Sequence, residues 1–154
     1  MFQSSEGLYY DELSIQSANL EDIDLELFKS FLKSYYDISE IDEQEVLSYL
    51  KNLHLTNKGM APTITGLLFF GKKPQYFISE ARIVDAYIKE DDIAIVPLDK
   101  KDINDIIPKM IEDTERFFKI YLKEKHIIKD FEPETRFELP MSALREAVVN
   151  AIAP

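Results

Sequence analysis

The sequence predicts an α+β fold, with several helices packed against a small, mostly antiparallel sheet. Three observations predict it. Apolar residues at spacings of three and four run from Ile103 to Leu122, the period of an amphipathic helix over about Ile103–Lys125. The stretch Ala81–Ile88 is β-branched and partly alternating, and Ile93–Leu98 follows across Asp91-Asp92, the pattern of a hairpin. Asp24 and Thr63 each stand as a capping residue just ahead of a short apolar run.

In chain order, Tyr9–Ile15 alternates weakly and reads as extended. Asn19-Leu-Glu-Asp-Ile-Asp24 is an acidic lead-in, and Asp24 caps a helix with Leu27, Phe28, Phe31 and Leu32 on one face. A second helix is predicted over Asp42–Asn52, with Val46, Leu47 and Leu50 inward. The third element contains Thr-Gly-Leu-Leu-Phe-Phe-Gly-Lys-Lys, Thr65 to Lys73, which departs from a phosphate-binding loop only at its last position. The chemistry of the middle residues opposes that reading. A phosphate loop turns open backbone toward the ligand, whereas Leu67, Leu68, Phe69 and Phe70 are large and apolar, and Lys73 stands where a Mg²⁺-binding hydroxyl belongs. A short buried helix over Ile64–Phe70 fits better, capped by Thr63, with Gly71 at C′ and Pro74 stopping its continuation.

Pro97 marks the edge or end of the second hairpin strand. The long helix carries Ile103, Ile106, Ile107, Met110, Ile111, Thr114, Phe117, Phe118, Tyr121 and Leu122 as its stripe, and Pro108 either kinks it or marks a late start. Thr135–Pro140 reads as a short extended lead-in to a last helix, Ser142–Ala153.

Bulk properties narrow the function. The chain has 154 residues, 45% of them hydrophobic, with 10 Phe and 8 Tyr, enough for a core without metals or disulfides. It has no cysteine, so thiolate metal sites and disulfides are excluded, in keeping with a reducing, cytoplasmic setting. The first residues, Met-Phe-Gln-Ser-Ser-Glu, lack the features of a secretory signal, and no apolar run is long enough to span a membrane. The net charge of −11 argues against nucleic-acid binding by these residues, since duplex binding rests on Lys and Arg clusters.

Few residues carry candidate chemistry. His54 and His126 lie far apart in sequence without a local nucleophile, and read as ordinary surface or partly buried histidines. The acids Glu21, Asp22, Asp24 and Glu26 lack the spacing of a calcium loop and suit a helix N-terminus. In the last helix, Met141, Leu144, Val148, Ala151 and Ile152 form an apolar stripe. Glu146 and Asn150, four apart, stack on another face. A carboxylate there can orient or deprotonate a water, and an amide oxygen is a hard ligand suited to Mg²⁺.

The stretch Leu-Pro-Met-Ser-Ala-Leu-Arg-Glu-Ala-Val-Val-Asn-Ala-Ile-Ala, residues 139–153, resembles the N-box that opens the ATPase domain in a prokaryotic family of transcriptional regulators described as RecG-helicase-related. That motif is similar to the N-box of GHKL ATPases such as gyrase and the histidine kinases. Tyr10-Asp-Glu-Leu-Ser-Ile with Leu20–Asp24, and Leu55-Thr-Asn-Lys-Gly with Gly66–Pro74, resemble two more stretches of the same family. The resemblance implies a connecting α+β domain at 1–136 and the start of a truncated GHKL-like ATPase domain at 137–154. It implies Glu146 as catalytic residue, Asn150 as cofactor-binding residue and Mg²⁺ ligand, and Mg-ATP as cofactor of the full-length protein only. DNA would be bound by a Schlafen/AlbA-type domain absent from this chain, and homo-oligomerisation stays open. Pro154 stands where the family has His, and proline fits poorly inside a continuing helix. The rival reading is a non-catalytic protein-interaction or dimerisation module, which the aromatic content and acidic charge also suit.

The charge leads to a direct expectation. This chain alone gives no salt-sensitive shift of duplex DNA at sub-micromolar protein; such a shift would contradict the acidic-surface argument.

Overall fold

In a computed structural model, residues 10–37, 40–88, 97–122, 124–129, 132–137 and 139–152 are described. The fold is α+β, and contacts divide the chain into two units, Met1–Ala81 and Arg82–Pro154.

The first unit is built on capped helices. Tyr10–Glu12 forms a 3₁₀ turn closed by Leu13 N–H on the Tyr10 carbonyl, which corrects the extended reading over those three residues. Extended pairing follows at an isolated bridge between Ser14 and Thr63, flanked by Ile15 N–H on the Pro62 carbonyl and Ile64 N–H on the Leu13 carbonyl. A second 3₁₀ turn, Leu20–Asp22, has a reciprocal cap: the Asn19 side chain accepts from Glu21 N–H, and Asp22 accepts from Asn19 N–H. Helix α1 spans Leu25–Tyr36, and Asp24 Oδ1 accepts from Leu27 N–H at 3.0 Å, as its position ahead of the apolar run predicts. Phe28 and Leu32 are fully buried. Leu27 and Phe31 flank that stripe and stay more than one-third exposed, with Phe31 stacked between the Phe28 and Tyr35 rings. Asp37, at φ 54°, ends the helix in the left-handed region.

Helix α2, Glu43–Asn52, starts with a capping box between Asp42 and Glu45 and buries Val46 and Leu50, with Leu47 half-buried. Helix α3, Ile64–Phe70, is capped by Thr63, whose Oγ1 accepts from Gly66 N–H at 3.1 Å. The core gathers Ala18, Ile23, Phe28, Leu32, Val46, Leu50, Leu55, Leu67 and Phe70.

The apparent phosphate loop is therefore a packed helix, and its glycines answer to space. A Cβ on Gly66 would run into the Leu55 carbonyl, which lies against this turn of α3. Gly71 is extended (φ −72°, ψ 141°) and not left-handed as a C′ glycine would be. It pairs in a bridge with Ile23, flanked by Asp24 N–H on the Phe70 carbonyl and Lys72 N–H on the Asp22 carbonyl. Pro74 stops α3 and also opens a one-turn helix α4, Pro74–Phe77, since its fixed φ and missing N–H suit a first helical position.

In the second unit, β1 (Ile83–Tyr87) pairs antiparallel with β2 (Asp99–Ile103), Ile83 opposite Ile103 and Asp85 opposite Lys101. This corrects the hairpin partner: Leu98 precedes β2, while the Asp91-Asp92 turn and residues 93–96 lie outside the described residues. The Asp-Lys-Lys-Asp-Ile sequence of β2 carries no strand signature because all but Ile103 are exposed. Helix α5 is Ile107–Tyr121, shorter than the apolar stripe at both ends. Pro108 in its first turn marks a late start, and Ile103, the stripe's first residue, is buried from β2 instead. Met110, Ile111, Thr114 and Phe117 form its buried face. Beyond it, β3 (Glu124–Lys129) pairs antiparallel with β4 (Glu132–Phe137), so Glu124 and Lys125 leave the helix predicted for them. Helix α6, Met141–Ile152, lies against α5 with Met141, Leu144, Val148 and Ile152 half-buried; Ala151, assigned to the same stripe, is exposed.

The glycine argument fixes a sign. Alanine normally stabilises a helix over glycine, by about 1 kcal/mol. At Gly66 the Leu55 carbonyl reverses this, and Gly66→Ala should destabilise the first unit by about 1–3 kcal/mol in urea denaturation. Gly59→Ala, where a Cβ meets only ordinary contact, should stay within about 0.5 kcal/mol. A Gly66→Ala midpoint at or above wild type would refute the close-approach account.

Candidate functional site

Helix α6 places Glu146 and Asn150 one turn apart, and both side chains are exposed. Neither takes a hydrogen-bond or ion-pair partner among the described residues. Their neighbour Arg145 is engaged, its Nη1 donating to Glu115 Oε1 on α5 at 2.5 Å. The helix is thus tied down by its half-buried stripe and by Arg145, while the carboxylate and the amide are left available. Among the described residues no group of three His, Cys, Asp or Glu side chains is positioned to hold a metal.

The first unit holds a constellation that the spacing of residues did not reveal. The chain leaving α2 turns back through residues 53–63 into α3. His54 adopts φ 57° and Met60 φ 66°, both in the left-handed region that non-glycine residues rarely occupy. The Asn57 side chain staples this loop: Oδ1 accepts from Gly59 N–H and Ala61 N–H, and Nδ2 donates to Ser14 Oγ at 3.0 Å.

His54 is held at three points. Its N–H donates to the Lys51 carbonyl at 3.1 Å, its carbonyl accepts from Thr63 Oγ1 at 2.8 Å, and Nδ1 lies 3.1 Å from Glu12 Oε1. A carboxylate on Nδ1 sets the ring's orientation and tautomer, leaving Nε2 open. Glu12, Lys51, His54, Thr56, Asn57, Lys58 and Thr63 line a cleft of about 410 Å³. Glu12 comes from the 3₁₀ turn and the others from the end of α2 and its loop, a separation no local pattern signals.

A third group lies in the second unit. Asp85 on β1 keeps only 7% of its surface exposed, and Thr114 on α5 only 1%. Asp85 Oδ2 and Thr114 Oγ1 are both buried without a hydrogen bond. Burial pushes the Asp85 carboxyl above its ordinary value, while the nearby Thr114 hydroxyl and the Lys101 charge pull the other way. On the exposed rim, Tyr121 Oη donates to Asp99 Oδ2, which raises the phenol's pKa.

The sign for Asp85 follows from linkage. A raised folded-state pKa means the native state holds this proton more tightly than the unfolded chain does. The ionised carboxylate therefore weakens the fold, most strongly above the raised pKa and not at all well below the ordinary 3.8. Asp85→Asn should raise the melting temperature at pH 7, and the gain should fade as pH drops toward 3.8. A lower melting temperature at pH 7 would show that attraction to Lys101 outweighs burial.

No protein-family model matches the sequence, and no curated protein matches it. Among solved structures, the chain is similar to the crystal structure of the DIP2311 protein from Corynebacterium diphtheriae, with a TM-score of 0.63 at 16% identity. The similarity covers 96% of this chain and 28% of that one. At this identity it shows the fold alone.

Proposed function

We propose that this chain is the connecting region and first ATPase helix of a DNA-binding transcriptional regulator with a GHKL-type ATP site. The observation that carries the reading is the pair on α6, Glu146 and Asn150 exposed one turn apart on a helix whose other face is packed. The likeness of residues 139–153 to an N-box, and of two further stretches to the same regulator family, supports it.

The donor chemistry of the pair fits Mg-ATP, which supplies the phosphoanhydride to be cleaved and the cation. Glu146 orients a water and accepts its proton on a carboxylate oxygen. Asn150 offers its amide oxygen as a hard ligand for Mg²⁺. Both belong to one face of one helix, so in this reading the base and the remaining phosphates are held by other groups. DNA is contacted by another domain, in keeping with the net charge of −11 here. The absence of cysteine suits a cytoplasmic protein, and no helix among the described residues is long and apolar enough to cross a membrane.

One observation favours a second reading, a protein-interaction or dimerisation module. Leu27, Phe31 and Tyr35 recur at four-residue spacing on α1, each more than one-third exposed, with Phe31 and Tyr35 stacked at 5.5 Å.

Substitutions in the longer protein separate the two. Glu146→Ala should lower ATP turnover by about 10²–10⁴-fold with nucleotide binding nearly intact. Asn150→Ala should weaken Mg-ATP binding itself. Leu144 is half-buried, so Leu144→Ala should cost on the order of 1 kcal/mol of stability, less than a fully buried leucine. Wild-type turnover in Glu146→Ala would remove the catalytic assignment and leave the interaction module.

A further inference from the structure

We propose that the cleft beside the α2–α3 loop is a binding site for a small oxyanion of the phosphate class. It lies in the first unit and does not depend on the ATPase reading.

The argument begins with charge. The chain carries −11 overall, and several of its lysines are paired: Lys29 with Glu26, Lys109 with Asp105, Lys100 with Asp102. Lys51 and Lys58 line this cleft and have no acidic partner among the described residues. The acid in the lining, Glu12, is turned to His54 Nδ1. Two uncompensated ammonium groups against one engaged carboxylate disfavour a cation and favour an anion.

The hydrogen-bonding inventory points the same way. Thr63 Oγ1 is spent on the His54 carbonyl and Gly66 N–H, and the Asn57 amide is spent on the loop and Ser14. The groups that remain are the two ammonium groups, the Thr56 hydroxyl and His54 Nε2. Among the described residues Thr56 Oγ1 donates to Met60 Sδ at 3.9 Å, a weak acceptor that an anionic oxygen would displace. When the imidazole carries both protons, Nδ1–H faces Glu12 and Nε2–H is a free donor. A site rich in donors and poor in free acceptors suits a ligand made of acceptors.

The geometry is preformed. His54 and Met60 occupy strained backbone conformations that the surrounding bonds maintain, and such strain collects where a side chain must be aimed. His54 is fixed through its N–H, its carbonyl and Nδ1, so only Nε2 is left to act. The cleft, at about 410 Å³, falls within the roughly 300–1,000 Å³ of small-molecule sites. It has room for a phosphate ester's organic portion as well as for the anion.

The test is an NMR titration of the 154-residue chain with inorganic phosphate and, separately, with phenyl phosphate, at constant ionic strength set by chloride. Saturable shifts of the His54 ring and of the Lys51 and Lys58 amides are expected with either ligand. Tighter phenyl phosphate binding identifies an ester as the natural ligand class, and equal or tighter inorganic phosphate binding identifies the free anion. Lys51→Met and Lys58→Met, at exposed positions that leave the fold intact, should each weaken binding about tenfold. Lys29→Met, on α1, should leave it unchanged. Shifts that track ionic strength alone, that do not saturate, or that persist in the Lys51→Met/Lys58→Met double variant would overturn the proposal. So would a zinc ion that binds at His54 more tightly than phosphate does.

Discussion

The first unit depends on one buried side chain. Thr63 is 2% exposed, and its hydroxyl serves two partners at once, donating to the His54 carbonyl and accepting from Gly66 N–H. Its backbone does the same work, with N–H on the Leu55 carbonyl and carbonyl to Leu67 N–H. The residues on either side join the turn near Glu12: Ile64 N–H donates to the Leu13 carbonyl, and Ile15 N–H to the Pro62 carbonyl. One threonine thus caps α3, holds the strained loop after α2, and sits where the segment bearing Glu12 is stitched on. A buried hydroxyl with both roles satisfied is inexpensive to keep and costly to orphan. The cleft exists because this junction closes.

The same junction explains why a near-match to a phosphate loop is nothing of the kind. The Leu55 carbonyl that accepts from Thr63 N–H also presses against Gly66, so the first glycine of the motif is small to admit a neighbouring chain. Gly71, the second, lies where Ile23 pairs with the end of α3. Any phosphate chemistry in this unit is better sought a few residues earlier, at Lys51, His54 and Lys58, which line the cleft and where the Glu12 contact on Nδ1 leaves Nε2 of the imidazole open. The polar pair on α6 belongs to the other unit and is a separate matter of chemistry.

Local signals were readable in the sequence, and long-range ones were not. Asp24 and Thr63 announce α1 and α3 because a cap acts over three residues, and the α5 stripe shows because the period of a helix is local. The stripe overruns the helix because apolar residues serve strands equally well: Ile103 is buried from β2. The β2 strand carries no sequence signal, since two charged pairs, Asp99-Lys100 and Lys101-Asp102, sit on a ladder with little to bury. The spacing of Glu146 and Asn150 was legible, as any four-residue relation on a helix is, and their exposure agrees with the face assigned to them. The Glu12–His54 pairing was not, because it joins a 3₁₀ turn to a left-handed residue, and neither feature has a sequence signature strong enough to read.

Native-state amide hydrogen exchange on this chain tests the keystone most directly. If Thr63 closes the junction, the amides of Thr63 and Gly66 open only when the first unit unfolds, and they exchange as slowly as those of Leu32 and Leu50 in its core. Exchange at Thr63 and Gly66 faster than at Leu32 and Leu50 by orders of magnitude would mean that the loop opens on its own, and the account of a preformed cleft would fail.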